Sequence, residues 1–344
     1  MRWAAREGQV GIGFRTFLEF LVTVLVYLDS VGAELSPSQK DVVAVAAGVG
    51  PVAVAVGAAV TPDAVAALGA AGAERVYAAE QDPSGSLAVG QADLLVGAVR
   101  ASEAVAVLSG IEPVETEVMA RAAALTESAL ITQVSSIAFA TEGELSNATG
   151  LVVRKDVLSG EWSSAVRPTT TIAFLTLVPG IPAQTPAPVE SPEVISVSTG
   201  GREGAQVLSR TPLVYDGRPD VSSARVVVAG GRGTDGDFGP VEQLADALGG
   251  AVGSTRDATD EGWIPHNTQV GQTGATVRPE LYIAAGISGA VHHVAGMRQS
   301  GTIVVVNNDM DAPIFDIADF GIVGDLNTVL PQAAEAIRAR KQQG

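Results

Sequence analysis

Thr268-Gln-Val-Gly-Gln-Thr-Gly274, Ala-Thr-Val-Arg278 and Pro279-Glu-Leu-Tyr-Ile-Ala-Ala-Gly-Ile-Ser-Gly-Ala-Val-His-His293 run on without a break, and their reading decides the fold. A polar glycine loop comes first, then a short buried strand from Leu281 to Ala285, then a second glycine turn that opens a helix. Gly286 and Gly289 leave room for a ligand to approach the backbone, and amides at the helix start can hold an anion. Ser288, His292 and His293 add side-chain donors around that turn. Strand, glycine turn and helix in this order are the layout of a nucleotide-binding unit.

Working outward, the chain of 344 residues is long enough for two domains with their own cores. It carries 38 acidic against 21 basic residues, a formal net charge of −17, and no basic run. That balance argues against a nucleic-acid binder, so phosphate binding would fall to local amides and single arginines. There is no cysteine, which excludes disulfides, thiolate nucleophiles and iron–sulfur ligation within the chain. The histidines His266, His292 and His293 form no metal constellation, because neighbours on a helix point about a quarter turn apart. Any redox chemistry must then reside on a bound organic cofactor. The apolar run Phe17–Leu28 contains Glu19 and is shorter than the roughly 20 residues a membrane helix needs, so no membrane embedding is expected. Residues 1–20 read as an extension expected to be disordered and make a poor secretory signal.

In chain order, the segment from Leu21 to Leu28 reads as a first strand, followed by a polar gap poor in helix signals and two buried segments, Val42–Ala46 and Val52–Val56. Thr61-Pro62-Asp63 starts a helix that Gly72 stops, and Arg75–Ala79 returns as a strand. A helix over Ala88–Arg100, a strand over Glu103–Leu108 and a helix from Glu112-Pro113 to Ala124 follow. The alternation implies an α/β layer fold. From Gly150 the texture turns β-rich. The segments Leu151–Leu158 and Thr169–Leu177 suggest strands added antiparallel to a parallel sheet. The prolines from Pro179 to Pro192 demand an extended path and are one candidate linker. Ser209–Asp220 is the other, and the boundary is placed near Arg210, giving 21–210 and 211–344. Beyond it, five short strands each end at a glycine or polar element, and the last helix runs from about Leu326 to Lys341. Open α/β sheets bind ligands along that carboxyl edge.

The residues within this layout are more specific. Gln269-Val-Gly-Gln-Thr-Gly274, with the segment from Leu281 to Met297, resembles the FAD-binding signature of electron transfer flavoprotein (ETF) alpha subunits. The likeness continues through Thr302–Asp309, Ala312–Phe315, Ala318–Gly321 and Gly324-Asp325, and upstream through Val226–Gly233 and Val252–Arg256. It covers the C-terminal third closely and, more loosely, most of the chain back to about Leu21. It implies an α/β protein of two domains: an N-terminal α/β sheet domain with added antiparallel strands that contacts a partner, and a C-terminal parallel-sheet FAD-binding domain similar to deoxyhypusine-synthase-like folds.

Taken singly, Arg232 is either a surface arginine in a turn or a guanidinium clamp on a pyrophosphate; the resemblance implies FAD contact. Thr255-Arg256 alone is a polar turn. The resemblance places Arg256 against the flavin ring, where a fixed cation favours flavin forms carrying negative charge. Gln269, Val270, Gly271, Gln272 and Thr273 form the polar loop, with the Thr273 hydroxyl implied at the N5 edge. Ser288, Gly289, Ala290 and Val291 are expected to open the helix and hold cofactor through amides and a capping hydroxyl. His293 is implied near the pyrimidine end of the flavin and His292 at its periphery; Asn307 and Asp325 read as turn or helix caps, with sugar or adenine contacts implied. Trp263 and Phe320 are expected to pack. No paired carboxylates or nucleophile motif is apparent in the N-terminal half.

The resemblance further implies a heterodimer with an ETF beta subunit that carries AMP. Electrons would come from acyl-CoA dehydrogenases and related donors and pass to an ETF-quinone oxidoreductase, with no substrate turnover by this chain. A bacterial cytoplasm is expected rather than a mitochondrial matrix. Alternatives are a bifurcating or nitrogen-fixation-type alpha subunit, and a non-redox nucleotide-binding regulatory module.

Overall fold

A computed structural model of the chain describes residues 23–139, 150–158, 160, 162–202, 204–209, 211 and 217–342. The expected 1–20 extension and the Arg210 boundary lie outside them. The first half contains β1 (Val24–Leu28), α1 (Pro37–Ala47), β2 (Val52–Val56), α2 (Pro62–Ala70), β3 (Arg75–Ala79), α3 (Val89–Ser102), β4 (Ala106–Ser109) and α4 (Pro113–Leu125). Then come β5 (Ala129–Phe139), β6 (Leu151–Val157), β7 (Trp162–Val166), β8 (Ala173–Leu177) and β9 (Glu193–Val197). These strands form one sheet ordered β7-β6-β5-β8-β4-β1-β2-β3-β9.

The apolar strands are buried because both sheet faces are covered, as parallel sheets require. In β1 alternate residues feed opposite cores: Val24, Val26 and Leu28 pack with α1 and α2, whereas Leu25 and Tyr27 pack with α3 and α4. α1 occupies the gap expected to be poor in helix, so Val42–Ala46 is buried on a helix. Its start was written locally: Ser36 Oγ accepts from the Gln39 amide at 3.2 Å, Gln39 Oε1 accepts from the Ser36 amide at 3.0 Å, and Pro37 follows the cap.

The β-rich middle departs from expectation in part. β6 is antiparallel to β5, and its other antiparallel neighbour is β7, which had not been foreseen. β8, at the end of the Thr169–Leu177 segment, inserts parallel between β4 and β5. The proline-rich path is not a connection between sheets. It crosses α2, with the Val189 amide donating to Gly69 O at 2.8 Å, and delivers β9 parallel to β3 on the far edge.

The second half contains β10 (Val226–Gly230), α5 (Gly239–Leu248), β11 (Ala251–Ser254), α6 (Arg256–Asp260), β12 (Leu281–Ala285), α7 (Val291–Met297), β13 (Thr302–Asn307), β14 (Phe320–Val323) and α8 (Leu326–Lys341). Its sheet is wholly parallel, ordered β11-β10-β12-β13-β14. α5 and α8 cover one face, and the glycine loop with α7 covers the other. The protein is therefore α/β, with a large mixed sheet and a separate parallel five-stranded sheet. Among the described residues no helix is long and apolar enough to cross a membrane.

In each sheet the chain order reverses beside a central strand, between β1 and β4 in the first and between β10 and β12 in the second. Such switch points splay two strand ends apart and open a crevice. The first crevice is a cavity of about 550 Å³ whose lining includes Asp29, Asp41, Glu112, Glu115 and Asp220 and, among the described residues, no Arg, Lys or His. Its chemistry is wrong for phosphate. Burial pushes the Glu115 carboxyl up to about 7; the amides of Asp29 and Gly110 pull against that rise, and the Glu112 and Asp29 charges add to it. An acid with a raised folded value favours folding fully below about pH 4.5 and loses that contribution as pH rises through 7. Glu115→Gln is therefore expected to match the wild type below pH 4.5 and exceed it by roughly 3 kcal/mol above pH 7, in urea denaturation followed across pH.

Candidate functional site

The second crevice is built by backbone before side chains. The β10 turn and the β12 turn dock on each other: the Gly231 amide donates to Ala285 O at 3.0 Å and the Gly233 amide to Gly286 O at 2.9 Å. Gly286 has φ of +61°, and a Cβ there would lie 2.8 Å from Gly233 Cα, so side chains are excluded from this seam. Arg232, Ser288 and Gly289 stand on either side of it.

The polar loop is joined to β11 and α7 by a continuous hydrogen-bond network. The Val270 amide donates to Ser254 O at 2.9 Å, and the Gln272 amide to His292 O at 2.8 Å. Gln269 Nε2 donates to Thr273 Oγ1 at 3.0 Å, while Gln269 Oε1 accepts from Thr259 Oγ1 at 3.2 Å. Thr259 Oγ1 also lies 2.9 Å from Arg256 O, which shares its single proton, so the chain of contacts runs from the Thr273 hydroxyl to the backbone of Arg256. The Gln272 side chain meets His292 Nδ1 at 2.7 Å.

Two arginines line the same edge. Arg232 Nε lies 3.1 Å from Asp257 Oδ2, and Arg256 Nε lies 3.1 Å from Asp260 Oδ2, with side-chain exposures of 70% and 67%. Neither is sunk in an internal ion pair, so each guanidinium keeps planar donors for an anion. Thr255 Oγ1 is buried and has no hydrogen-bond partner among the described residues.

Two expectations need correction, the Ser288 helix start and the packing of Phe320, while Asn307 and Asp325 are caps as expected. The helix after β12 starts at Val291 with Ala290 as N-cap and no side-chain cap bond, so Ser288 and Gly289 precede it and Ser288 does not cap it. The carbonyl of Ser288 instead accepts from the Ile314 amide at 3.1 Å. His293 is buried, with Nδ1 facing Val270 O at 3.0 Å and Nε2 facing the Tyr282 hydroxyl at 3.0 Å. A carbonyl only accepts, so Nδ1 carries the proton and Tyr282 donates to Nε2. Both ring nitrogens are thus engaged within the protein; His292 is the exposed histidine of the pair. Asn307 is also committed, donating to Ile287 O at 2.9 Å and accepting from the Asp309 amide at 3.0 Å. Asp325 is the exposed N-cap of α8, accepting from the Asn327 amide at 2.9 Å. Phe320 is 61% exposed on β14 and does not pack in the core, whereas Trp263 lies against Gly236.

Burial pushes His293 down to about 4, against a partial rise from the Val270 carbonyl. A histidine buried in its neutral form contributes stability fully above its unfolded value near 6.5 and loses it as pH falls toward 4. That contribution is roughly 3 kcal/mol. Subtracting the urea-denaturation curve of His293→Gln from that of the wild type should give a difference that falls by this amount between pH 6.5 and 4.

Sequence reading missed Asp257, Asp260, Thr259 and Tyr282 as partners. The spacing of Arg256 and Asp260 on one helix face was legible. Nothing local marks Thr259 or Tyr282, whose partners lie 10 and 11 residues away.

The arrangement, a glycine seam flanked by arginines with an orphaned hydroxyl and an adjoining polar loop, suits a dinucleotide, and the family comparisons agree. Residues 24–200 match the electron transfer flavoprotein domain, and residues 220–298 match the electron transfer flavoprotein FAD-binding domain. Together these matches cover well over half of the chain. The chain belongs to the electron transfer flavoprotein alpha family. Similar proteins include the electron transfer flavoprotein subunit alpha of Mycobacterium leprae, 40% identical over 278 residues, or 80% of this chain and 84% of that protein. The subunit alpha of Mycobacterium tuberculosis is 38% identical over 327 residues, 93% of this chain and all of that protein. That of Paracoccus denitrificans is 56% identical over 117 residues, 33% of this chain and 38% of that protein. This alpha subunit thus carries the family's FAD-binding domain, and the carboxyl edge of its five-stranded sheet has the donors FAD needs. The buried, unpartnered Thr255 hydroxyl is the clearest sign of fit.

Proposed function

We propose that this chain binds one FAD across the carboxyl edge of β10–β14 and serves as the redox-carrying half of a heterodimer. The observation that supports the reading is that β10, β11 and β12, which lead into Arg232, Thr255-Arg256 and Ser288, end along one carboxyl edge, with Arg232 tied to Asp257 and Gln272 to His292. FAD, when bound, supplies the electron-accepting and electron-donating ring. Arg232 would hold the pyrophosphate with the Gly231–Gly233 and Gly286–Gly289 turns, Arg256 would set a fixed positive charge beside the ring, and Thr273 would offer a hydroxyl to it. Gln269, Val270, Gly271 and His293 shape the loop from behind. Ala290 and Val291 present the start of α7, and Asn307 and Asp325 would border the sugar and adenine end. No residue here is assigned substrate chemistry, so the chain would carry electrons without turnover of its own.

Arg232, Arg256, Gln272, Thr273, Ser288, Ala290, Val291, His292 and Asp325 are all exposed, so this chain builds one wall of the site. That supports a second chain, an ETF beta subunit carrying AMP, as the other wall. Acyl-CoA dehydrogenases would be the donors and an ETF-quinone oxidoreductase the acceptor, in a bacterial cytoplasm. The separate family matches at 24–200 and 220–298 support a division of the chain near Arg210.

The test is co-expression with the beta subunit encoded by the same organism, followed by flavin counting and stepwise reduction. One FAD per heterodimer, reducible by an acyl-CoA dehydrogenase with its substrate, is expected. Two flavins would favour the bifurcating form, and a colourless heterodimer that takes up no FAD would sink the assignment in favour of a regulatory module.

A further inference from the structure

The glycine loop is held from two sides. On one side it is pressed against α7: a Cβ on Gly296 would come within 2.5 Å of Gly271 Cα, and the Val277 amide donates to Gly296 O at 2.8 Å. On the other side stands the first sheet. Arg278, which ends the loop, reaches Asp156 of β6, with Nη2 3.5 Å from Oδ2, and Gln299 Nε2 donates to the same carboxylate oxygen at 3.3 Å. The side chains of Arg278 and Asp156 are only 14% and 27% exposed, and Arg278 Nε is buried with no partner among the described residues. Burial lowers the Arg278 pKa, and Asp156 offsets part of that loss. The cation therefore leans on one carboxylate, and removing one member of such a pair leaves the other buried and uncompensated.

We infer that Asp156, on the first sheet, is a positioning residue for the glycine loop of the second: it holds Arg278 and thereby sets how Gln272 and Thr273 are presented to the ligand. Residues 271–275 carry their own turn bonds, the Gly271 amide to Ala275 O and the Gly274 amide to Gly271 O at 3.1 Å each, and α7 holds their inner side. The carboxylate supplies the outer constraint across 122 residues of sequence. The ligand part of this inference rests on the FAD reading above; the clasp itself does not.

Amide exchange of the full chain without cofactor tests the clasp. In Asp156→Ala the amides of Gln272, Ala275 and Val277 should exchange about tenfold faster, while those of Val228 and Ala284 in the strands stay unchanged. Asp156→Ala combined with Arg278→Ala should be no worse for the loop than either change alone, since both break one contact. Arg278→Met, which keeps the packed stem, should loosen the loop in the same way and decides the matter if Asp156→Ala does not fold. Unchanged loop exchange in the folded variants, or strictly additive effects, overturns the clasp. In the FAD-loaded heterodimer, Asp156→Ala should alter the visible spectrum and midpoint potential of the bound flavin, and an unaltered flavin overturns the presenting role. Failure of the wild-type heterodimer to take FAD would instead count against the functional reading, with the exchange result standing independently.

Discussion

Arg256→Ala is expected to lower the midpoint potential of bound FAD by roughly 90 mV for a one-electron couple, corresponding to about 2 kcal/mol less stabilisation of negative charge on the reduced ring. The reason is placement. Arg256 is the first residue of α6 at the end of β11, its backbone is tied to Gln269 and Thr273 through Thr259, and its guanidinium is exposed. A fixed cation there costs no reorganisation when the ring gains charge. Truncation should leave the fold alone, because the side chain is 67% exposed. The sign has an internal control. Asp260 shares the guanidinium at 3.1 Å, so Asp260→Asn frees positive charge and should raise the potential. Spectroelectrochemical titration of the heterodimer reads both, and two shifts of the same sign would remove Arg256 from the ring.

Arg232→Ala should act on retention. Charge-assisted hydrogen bonds to a pyrophosphate are worth about 1.5–3 kcal/mol, so the dissociation constant of FAD should rise by about 100-fold. The loss is compounded by Asp257, whose carboxylate now faces Arg232 at 3.1 Å and would be left to repel the phosphates. Arg232→Lys keeps the charge but not the planar fork, and an intermediate loss is expected. Fluorescence titration of deflavinated heterodimer measures all three proteins. Equal affinities across them would show that the pyrophosphate lies elsewhere along the edge.

The two variants probe positions that were readable to different degrees. Strands such as Val226–Gly230 and Leu281–Ala285 announced themselves because a parallel strand buried on both faces must be apolar throughout. Helix α2 was legible from Thr61-Pro62, a local cap. Helix α1 is equally local, with Ser36 and Gln39 three residues apart, but its polar flanks hide it in the sequence. β8 could not be oriented from sequence, since whether Ala173–Leu177 runs parallel or antiparallel depends on neighbours β4 and β5, whose last described residues lie more than 30 positions upstream. The site divides in the same way. Glycines and arginines at strand ends were visible, but the two bonds that occupy the His293 ring come from Tyr282 and Val270.

What the sequence determined by itself, then, is whatever depends on neighbours within a helical turn or along a strand: the α/β alternation, the glycine turns at strand ends, and the family signature written across Gln269–Met297. Tertiary structure alone decided which side chains remain available. It committed His293 and Asn307 to the protein, left His292 and both arginines outward, orphaned the Thr255 hydroxyl, and brought Asp156 to Arg278. The physical reason is that hydrogen bonds and ion pairs saturate. A donor's freedom is settled by the partner the fold delivers to it, and that partner is recorded nowhere near it in the chain.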